Sequence, residues 1–347
     1  MGKKATFYEL AKLAKVSAAT VSRIAAGKQN VDPKIRERVR QAAAQLGIDL
    51  EKKRDETSRI IAFVLANRDI LHSFQARVLA GAESYVSANN WELVFLTFRY
   101  PAGVPAKELH LPQILSRRTP ARGVILAGVN SVNLLHALRE RQVPFSVLGN
   151  NLIGGWEQDP CDVVCSDDIQ GAFDVTSHLL AQHHRHIWFI GDTRLPWYTR
   201  CGEGYRRAME GAGLPPRLCD IHSDGRELGY LGAKSILSRR EPVTAIFAGS
   251  DHVAGGVYAA LRESGVAVPG DISVVGFNDS EAALFHPSLT SVREFPEELG
   301  RHLAEFTLNR IRQPWLPPQR LTIPTQLISR ESTRALLPAA AEPARAR

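Results

Sequence analysis

The stretch TFYELAKLAKVSAATVSR, residues 6–23, has the pattern of two short helices joined by a tight turn. A capping box begins the first helix, because the hydroxyl of Thr6 can accept from an amide of the first turn while Glu9 reaches back. Ser17 can cap the second helix, which extends to about Ala26. The stretch therefore predicts a helix-turn-helix.

A third helix follows, because Asp32 and Pro33 form a start signal and Gly47 can end it. Its apolar stripe consists of Ile35, Val39, Ala42, Ala43 and Leu46, and its basic positions outside that stripe are Lys34, Arg36, Arg38 and Arg40. The first fifty residues thus predict an all-α head with a basic surface.

Charge is concentrated in this head. Residues 1–56 contain 13 Lys or Arg and 7 Asp or Glu, which accounts for six of the net +7 of the chain. Neutralisation of phosphates by Lys and Arg supplies most non-specific affinity for nucleic acids. The imbalance indicates an anionic partner such as DNA, and the alternative is a basic arm that only faces solvent.

Length and composition limit the class of protein. The chain has 347 residues, of which 44% are hydrophobic and 23% charged, and it lacks the ~18 consecutive apolar residues of a membrane span. The N-terminal residues do not form a secretory signal, so we expect a cytoplasmic protein without a membrane partner. Four irregularly spaced cysteines predict reduced, structural thiols: Cys161, Cys165, Cys201 and Cys219.

After Arg59, short apolar runs alternate with amphipathic stretches. The runs predict strands at 60–65, 92–98, 123–127, 145–148, 187–190, 245–248 and 272–275, and the stretches predict helices at 74–88, 131–141, 170–182, 203–213, 229–238 and 253–264. This alternation predicts an α/β body of parallel sheets with helices on both faces. A break near 161–168 favours two doubly wound subdomains.

Together these motifs resemble the lactose-repressor (LacI/GalR) family of bacterial transcription regulators, over about residues 5–333. The resemblance rests on residues 6–23 with Gly27 and Val31, and on body segments such as Ala248-x-Ser-Asp-x-x-Ala-x-Gly256 and Asp271-Ile-Ser-Val-Val-Gly-Phe-Asn-Asp279. It implies a periplasmic-binding-protein-like body of two lobes with crossovers near 163, 291 and 324. The expected domains are the head (1–56), the body (57–335; one subdomain 57–162 and 292–323, the other 163–290 and 324–335) and a disordered tail (336–347).

For DNA, the resemblance implies that the second helix lies in the major groove. Its phosphate-contacting residues would be Ser17, Thr20 and Ser22, its base-facing residues Ala18, Ala19 and Arg23, with Thr6 and Asn30 also at the interface. Arg23 can read guanine, whereas alanine offers only a methyl contact, so direct readout should be sparse.

The linker departs from the family pattern. Relatives carry a Tyr-x-Pro-Asn-x-x-Ala-x-x-Leu hinge that wedges leucine into the minor groove, and this chain has a shorter IDLEKKRDE segment at 48–56. We hypothesise that Lys52, Lys53 and Arg54 contact phosphates without a leucine wedge and that operator bending is weak. A circular-permutation assay showing strong bending would contradict this hypothesis.

Ligands of open α/β folds bind at the carboxyl ends of strands, so both lobes should contribute to one effector cleft. Its candidate residues are Phe74, Asn150, Trp197, Arg200, Ser250, Asp251, Asn278 and Asp279. Asp251 and Asp279 have an alternative role as helix caps. Two departures from the family pattern argue against assigning this chain the sugar specificity of a known relative. The arginine of the family is Cys201 here, with Arg200 one place earlier, and the acidic residue that often ends the fourth strand is Gly149.

No catalytic motif, nucleotide-binding loop or metal-ligand spacing is present, and we expect neither a cofactor nor a metal. The clustered histidines of 183–186 are interpreted as part of a charged loop. The leading hypothesis is a dimeric, operator-binding repressor modulated by a small molecule such as a sugar. The alternative is a cytoplasmic ligand-binding module whose basic head tethers it to DNA non-specifically. These differ in their selectivity over bulk DNA.

Overall fold

The computed structural model describes residues 7–25, 31–46, 48, 58–68, 72–115, 121–154 and 160–337. They form two compact units, a small helical head within residues 7–48 and an α/β body that contains most of residues 61–337. Within these ranges no helix is long and apolar enough to cross a membrane.

The head consists of α1 (Phe7–Leu13), α2 (Ala18–Ala25) and α3 (Pro33–Gln45). Its core is built from one apolar side of each helix, with Leu10, Val21 and Val39 completely buried. Asp32 caps α3 as predicted, since its carboxylate accepts from the amide of Lys34 at 2.7 Å. The predicted stops at Gly27 and Gly47 lie outside the described residues.

The first lobe of the body contains a six-stranded sheet in the order β13-β7-β5-β3-β1-β2. Its strands are β1 (Ile60–Ala66), β2 (Glu92–Phe98), β3 (Ala121–Gly128), β5 (Phe145–Leu148), β7 (Asp162–Ser166) and β13 (Arg320–Ile323). Its helices are α4 (Ser73–Ala88), α5 (Val132–Glu140) and α10 (Pro296–Arg312). A short parallel pair, β4 (Asn130–Ser131) and β6 (Leu152–Ile153), lies beside it.

The second lobe contains another six-stranded sheet, in the order β14-β12-β11-β10-β8-β9. Its strands are β8 (Ile187–Gly191), β9 (Arg217–Asp220), β10 (Ala245–Ala248), β11 (Ser273–Asn278), β12 (Thr290–Arg293) and the antiparallel β14 (Gln326–Ile328). Its helices are α6 (Asp168–Ala181), α7 (Pro196–Gly211), α8 (Gly225–Ser238) and α9 (Asp251–Glu263). The apolar strands are buried because helices cover them.

Three features differ from the sequence-based expectations. The predicted break at 161–168 contains β7, which pairs with β5 in the first sheet, so the chain crosses to the second lobe after Ser166 instead of near 163. The next crossing follows β12 at Arg293, two residues beyond 291. Helix α7 begins at Pro196 instead of 203, because proline at the first helical position fixes a helical φ without losing a needed amide.

One glycine is required by close backbone approach next to the cleft described below. Gly128 ends β3 with φ +75°, and a Cβ there would lie 2.2 Å from the carbonyl oxygen of Ala66. Only glycine satisfies both conditions without moving β1.

Candidate functional site

The head presents one face of α2 to solvent. Val21 points into the core with no exposure, whereas the residues on the other side are exposed: Ser17, Ala18, Ala19, Ser22 and Arg23. Thr20 is half-buried, and its amide donates to the Ser17 hydroxyl at 3.1 Å, which caps the helix. The side chains proposed to face bases are therefore accessible. Five further candidates lie outside the described residues: Thr6, Asn30, Lys52, Lys53 and Arg54.

The body contains a cleft between its two lobes, where the carboxyl ends of parallel strands from both sheets meet. The cavity there has a volume of about 100 Å³, and residues of both lobes line it. Four aromatic side chains line it: Phe74, Trp197, Tyr198 and Phe277. Such rings can cover the apolar face of a ligand while polar groups select its orientation.

Five of the eight predicted effector residues line this cleft: Phe74, Asn150, Trp197, Ser250 and Asn278. Two of them are held by the backbone. Asn150 accepts from the Ser166 amide at 2.8 Å and donates to the Ser166 carbonyl at 2.9 Å. The hydroxyl of Ser250 accepts from the Val253 amide at 3.2 Å and thereby caps α9. Their positions are fixed before any ligand arrives.

The other three, Arg200, Asp251 and Asp279, are not in the lining. Arg200 donates to Asp168 at 2.7 Å, so its guanidinium is held by a buried carboxylate. Asp251 is completely buried and accepts from the Ser291 hydroxyl at 2.6 Å, and burial raises its pKa to about 6. It does not cap α9, since Ser250 does.

Asp279 belongs to a separate network of arginines. Arg293 and Arg330 each bind its carboxylate at 2.7 Å, and only 3% of the Asp279 side chain is exposed. These two ion pairs connect the end of β11 to β12 and to the segment after β14. Asp279 therefore stabilises the second lobe instead of facing the ligand.

Two carboxyl groups form the floor of the cleft at the crossovers between the lobes. Asp168 begins α6 after the first crossover, and Glu294 follows β12 at the second. Burial raises the pKa of Asp168, against the opposing effects of Arg200 and Asn150. Burial also raises the pKa of Glu294 to about 8, despite a hydrogen bond donated by the Ser166 hydroxyl. Neutral Glu294 is thus the main form at neutral pH.

The mouth of the cleft is bridged by side chains from both lobes. Arg68 of the first lobe lies 3.5 Å from the carboxylate of Asp224 and 5.0 Å from the ring centre of Trp197. His72 lies 3.7 Å from the same carboxylate and 5.5 Å, ring to ring, from His252. The contact with His72 lowers the pKa of Asp224 more than any other interaction does. The cleft is therefore partly closed by polar contacts.

Sequence reasoning missed several lining residues, notably Arg68, Gln75, Asp168, Asp224 and Glu294. The last three follow strands β7, β9 and β12, which are short and were not among the predicted strands. The rule that sites lie after strand ends would have selected them if those strands had been recognised.

Metal-ligating groups converge at one place among the described residues: Asp192, Asp220 and His222 have ligand atoms within 4.8 Å of one another. Two already have partners, since Asp192 binds Arg194 at 2.6 Å and Asp220 accepts from Thr193 at 2.6 Å. His184, in the histidine-rich segment, is buried between Thr244 and the Arg334 carbonyl, both at 3.0 Å. All four cysteines are buried, and none of them forms a disulfide.

Comparison with family models separates the two units. Residues 6–48 match the model described as bacterial regulatory proteins, lacI family. Residues 176–333 match the model of a periplasmic binding protein-like domain. The first match contains α1, α2 and α3, and the second contains most of the second lobe.

Two relatives match the chain along nearly its whole length. The HTH-type transcriptional regulator DegA of Bacillus subtilis is 28% identical over 348 residues, covering 96% of this chain and 99% of the relative. The ribose operon repressor of Haemophilus influenzae is 29% identical over 343 residues, covering 96% and 99%.

Solved structures agree with the fold. A complex of the transcriptional regulator CelR with cellobiose superimposes with a TM-score of 0.69 at 28% identity, covering 94% of this chain and 99% of that one. The lac repressor dimer bound to operator also gives a TM-score of 0.69, at 21% identity, covering 96% and 100%.

Proposed function

Since the chain belongs to the lacI family of bacterial regulatory proteins, we propose that it is a repressor that binds a near-palindromic operator as a dimer. The observation that carries this proposal is the exposed face of α2. Ala18, Ala19 and Arg23 on this face are exposed to solvent and are not part of the core of the head. A dimer presents two such helices to two half-sites, which multiplies selectivity over bulk DNA. The site of action is then the cytoplasm.

The cleft of the body supplies regulation in this proposal, by binding instead of catalysis. CelR, a relative at 28% identity, was solved with cellobiose, which supports a small hydroxylated ligand for this cleft too. The two lobes of the body contact each other through Arg68, His72 and Asp224. In this proposal, a ligand that favours the closed or the open arrangement of the lobes alters DNA binding by the head. Such a ligand shifts DNA affinity only by its preference for one state.

The test is selection of binding sites from a random duplex library by the full chain at near-physiological salt, where non-specific phosphate binding is weak. We expect enrichment of a site with two-fold symmetry. Arg23→Ala should relax selection at one position of each half-site, since a bidentate arginine contributes about 1–3 kcal/mol of base discrimination. Arg38→Ala, an exposed arginine of α3, is the matched control.

Binding without sequence selectivity would favour the alternative function. If no sequence is enriched and binding to any duplex falls steeply with salt, the head is a non-specific tether and the repressor proposal is wrong. The alternative function, a ligand-binding module held near DNA, would then apply.

A further inference from the structure

The floor of the cleft carries one more acidic group than it has cations to balance. Arg200 pairs with Asp168 at 2.7 Å, and only 2% of the Asp168 side chain is exposed. Glu294, with 8% exposure, receives a hydrogen bond from Ser166. In the part of the chain that the structure describes, it has no Lys, Arg or His within salt-bridge distance.

The surroundings of Glu294 keep it neutral until a cation arrives. The charged or titratable groups that interact with it come from three helices: Asp168 of α6, Cys201 of α7 and Asp251 of α9. Burial opposes its ionisation most strongly, and Asp168 and Asp251 oppose it further. A positive ligand group would reverse this balance, because an opposite charge at close range favours the ionised carboxylate.

A second, independent observation comes from the opposite lobe. Gln75 of α4 lines the same cleft with only 7% of its surface exposed. Its Oε1 is buried and has no hydrogen-bond partner among the described residues. A buried acceptor without a donor costs stability, so its position in a binding cleft indicates that a ligand supplies the donor.

Building on the function proposed above, we propose that the ligand of this cleft is a hydroxylated primary amine, such as an amino sugar, whose ammonium group binds Glu294 and whose donors reach Gln75. Phe74 and Trp197 are available to cover its apolar face. An anion would meet the acidic floor unfavourably. A neutral sugar would leave Glu294 protonated, so its binding would release no proton.

Proton release distinguishes an ammonium ligand from a neutral one. At pH 7 Glu294 holds its proton, and the bound ammonium lowers its pKa, so the proton passes to the buffer as the ligand binds. We would use isothermal titration calorimetry on the full chain without DNA, in two buffers of different ionisation enthalpy. The ligands are two matched pairs of amine and neutral sugar: D-glucosamine with D-glucose, and D-galactosamine with D-galactose. We expect binding of an amine with release of about one proton.

Two variants locate the effect. Glu294→Gln keeps size and hydrogen bonding but cannot ionise, so amine affinity should fall about tenfold to a hundredfold and proton release should disappear. Gln75→Leu should also weaken amine binding while thermal unfolding shows that the fold is retained. Glu298→Gln, an exposed glutamate of α10, should change neither quantity.

Three outcomes would overturn this inference. The first is that a neutral sugar binds more tightly than its amine. The second is that Glu294→Gln binds the amine with the same affinity and the same proton release as wild type. The third is that neither amine binds. None of them touches the repressor proposal, because site selection on DNA is measured separately. Loss of operator selection with intact amine binding would instead remove the regulatory function and leave the ligand assignment standing.

Discussion

Arg200 shows how one residue of offset along a helix changes what a side chain does. The family places its arginine at the next position, and there Cys201 lines the cleft while Arg200 reaches Asp168. Successive helical residues point about 100° apart, so the neighbour could not take over the same direction. The sequence indicated the substitution, but only the structure shows that the arginine is held outside the cleft lining by the buried carboxylate of Asp168.

This ion pair predicts a non-additive stability effect. Arg200→Met leaves Asp168 buried without its cation, so the free energy of unfolding should fall by about 3 kcal/mol at neutral pH. The double variant with Asp168→Asn should recover most of the loss, because no buried charge is then unpaired. Urea unfolding followed by tryptophan fluorescence measures both. Arg207→Met breaks an exposed pair with Glu203 and should cost less than about 1 kcal/mol. Equal losses in the single and double variants would contradict the argument.

Glu294 predicts how stability depends on pH. Its pKa rises from an ordinary 4.5 to about 8 on folding, so folding favours its neutral form. The resulting stabilisation is complete below about pH 4.5 and is lost as the pH rises towards 8. Wild type and Glu294→Gln should therefore have similar unfolding free energies at pH 5, and the variant should be more stable by several kcal/mol at pH 8. Ionisation of Asp251 also lowers the free energy of unfolding over this range, but it does so in both proteins. A constant difference between the two curves would show that Glu294 ionises normally.

At the scale of elements, helix packing in the second lobe depends on glycine. Helices α8 and α9 cross so closely that a Cβ at Gly229 would lie 1.9 Å from the carbonyl oxygen of Val253. On the other helix, a Cβ at Gly256 would lie 1.9 Å from the carbonyl oxygen of Arg226. Because backbone atoms cannot move aside as a side-chain end can, this crossing exists only with glycine on both helices.

Gly256→Ala should therefore destabilise the body by about 3 kcal/mol, since α9 must shift away from α8. Gly211→Ala is the matched control, because no atom of the described residues outside its own helix turn lies within 4 Å of its Cβ position. Alanine has the higher helix propensity, so the control should be neutral or more stable by about 0.5 kcal/mol. Thermal unfolding of the two variants gives the comparison, and equal melting temperatures would exclude a close-packed crossing.

The sequence predicted mainly apolar strands better than short strands that carry charged residues. The bounds of β2, β5 and β10 are as predicted, because their apolar residues are continuous and bounded by polar ones. The strands β9 (RLCD) and β13 (RLTI) carry charges and exposed positions, since they lie at sheet edges, and they were not recognised. Their local pattern is that of a loop, and only pairing with a neighbour makes them strands.

At the scale of the molecule, the cleft joins residues that are far apart in the chain. Ser166 and Glu294 are 128 positions apart and share a hydrogen bond at the crossovers, and Gln75 of α4 lines the same cleft as Glu294. Alternation of strands and helices predicted that such a cleft exists, because parallel sheets place strand ends together. It did not predict which acidic side chain would lack a cation, since that depends on distances between separate segments.

The uneven charge of the whole chain gives a final prediction, on DNA binding. The head holds six of the seven net positive charges, and the body is nearly neutral. Each phosphate contact that is lost reduces the slope of log affinity against log salt by about 0.9. Replacing Lys52, Lys53 and Arg54 with Gln should therefore lower this slope by up to about 2.7 for each head.

The matched control removes the same charge from exposed positions of the body: Lys107, Arg207 and Arg262. Fluorescence anisotropy with a labelled duplex at several salt concentrations measures both slopes. Because counterion release depends on charges that touch the duplex and not on net charge alone, the control slope should stay close to that of wild type. If both triple variants lower the slope equally, the body also contacts phosphates, and DNA binding is not confined to the head.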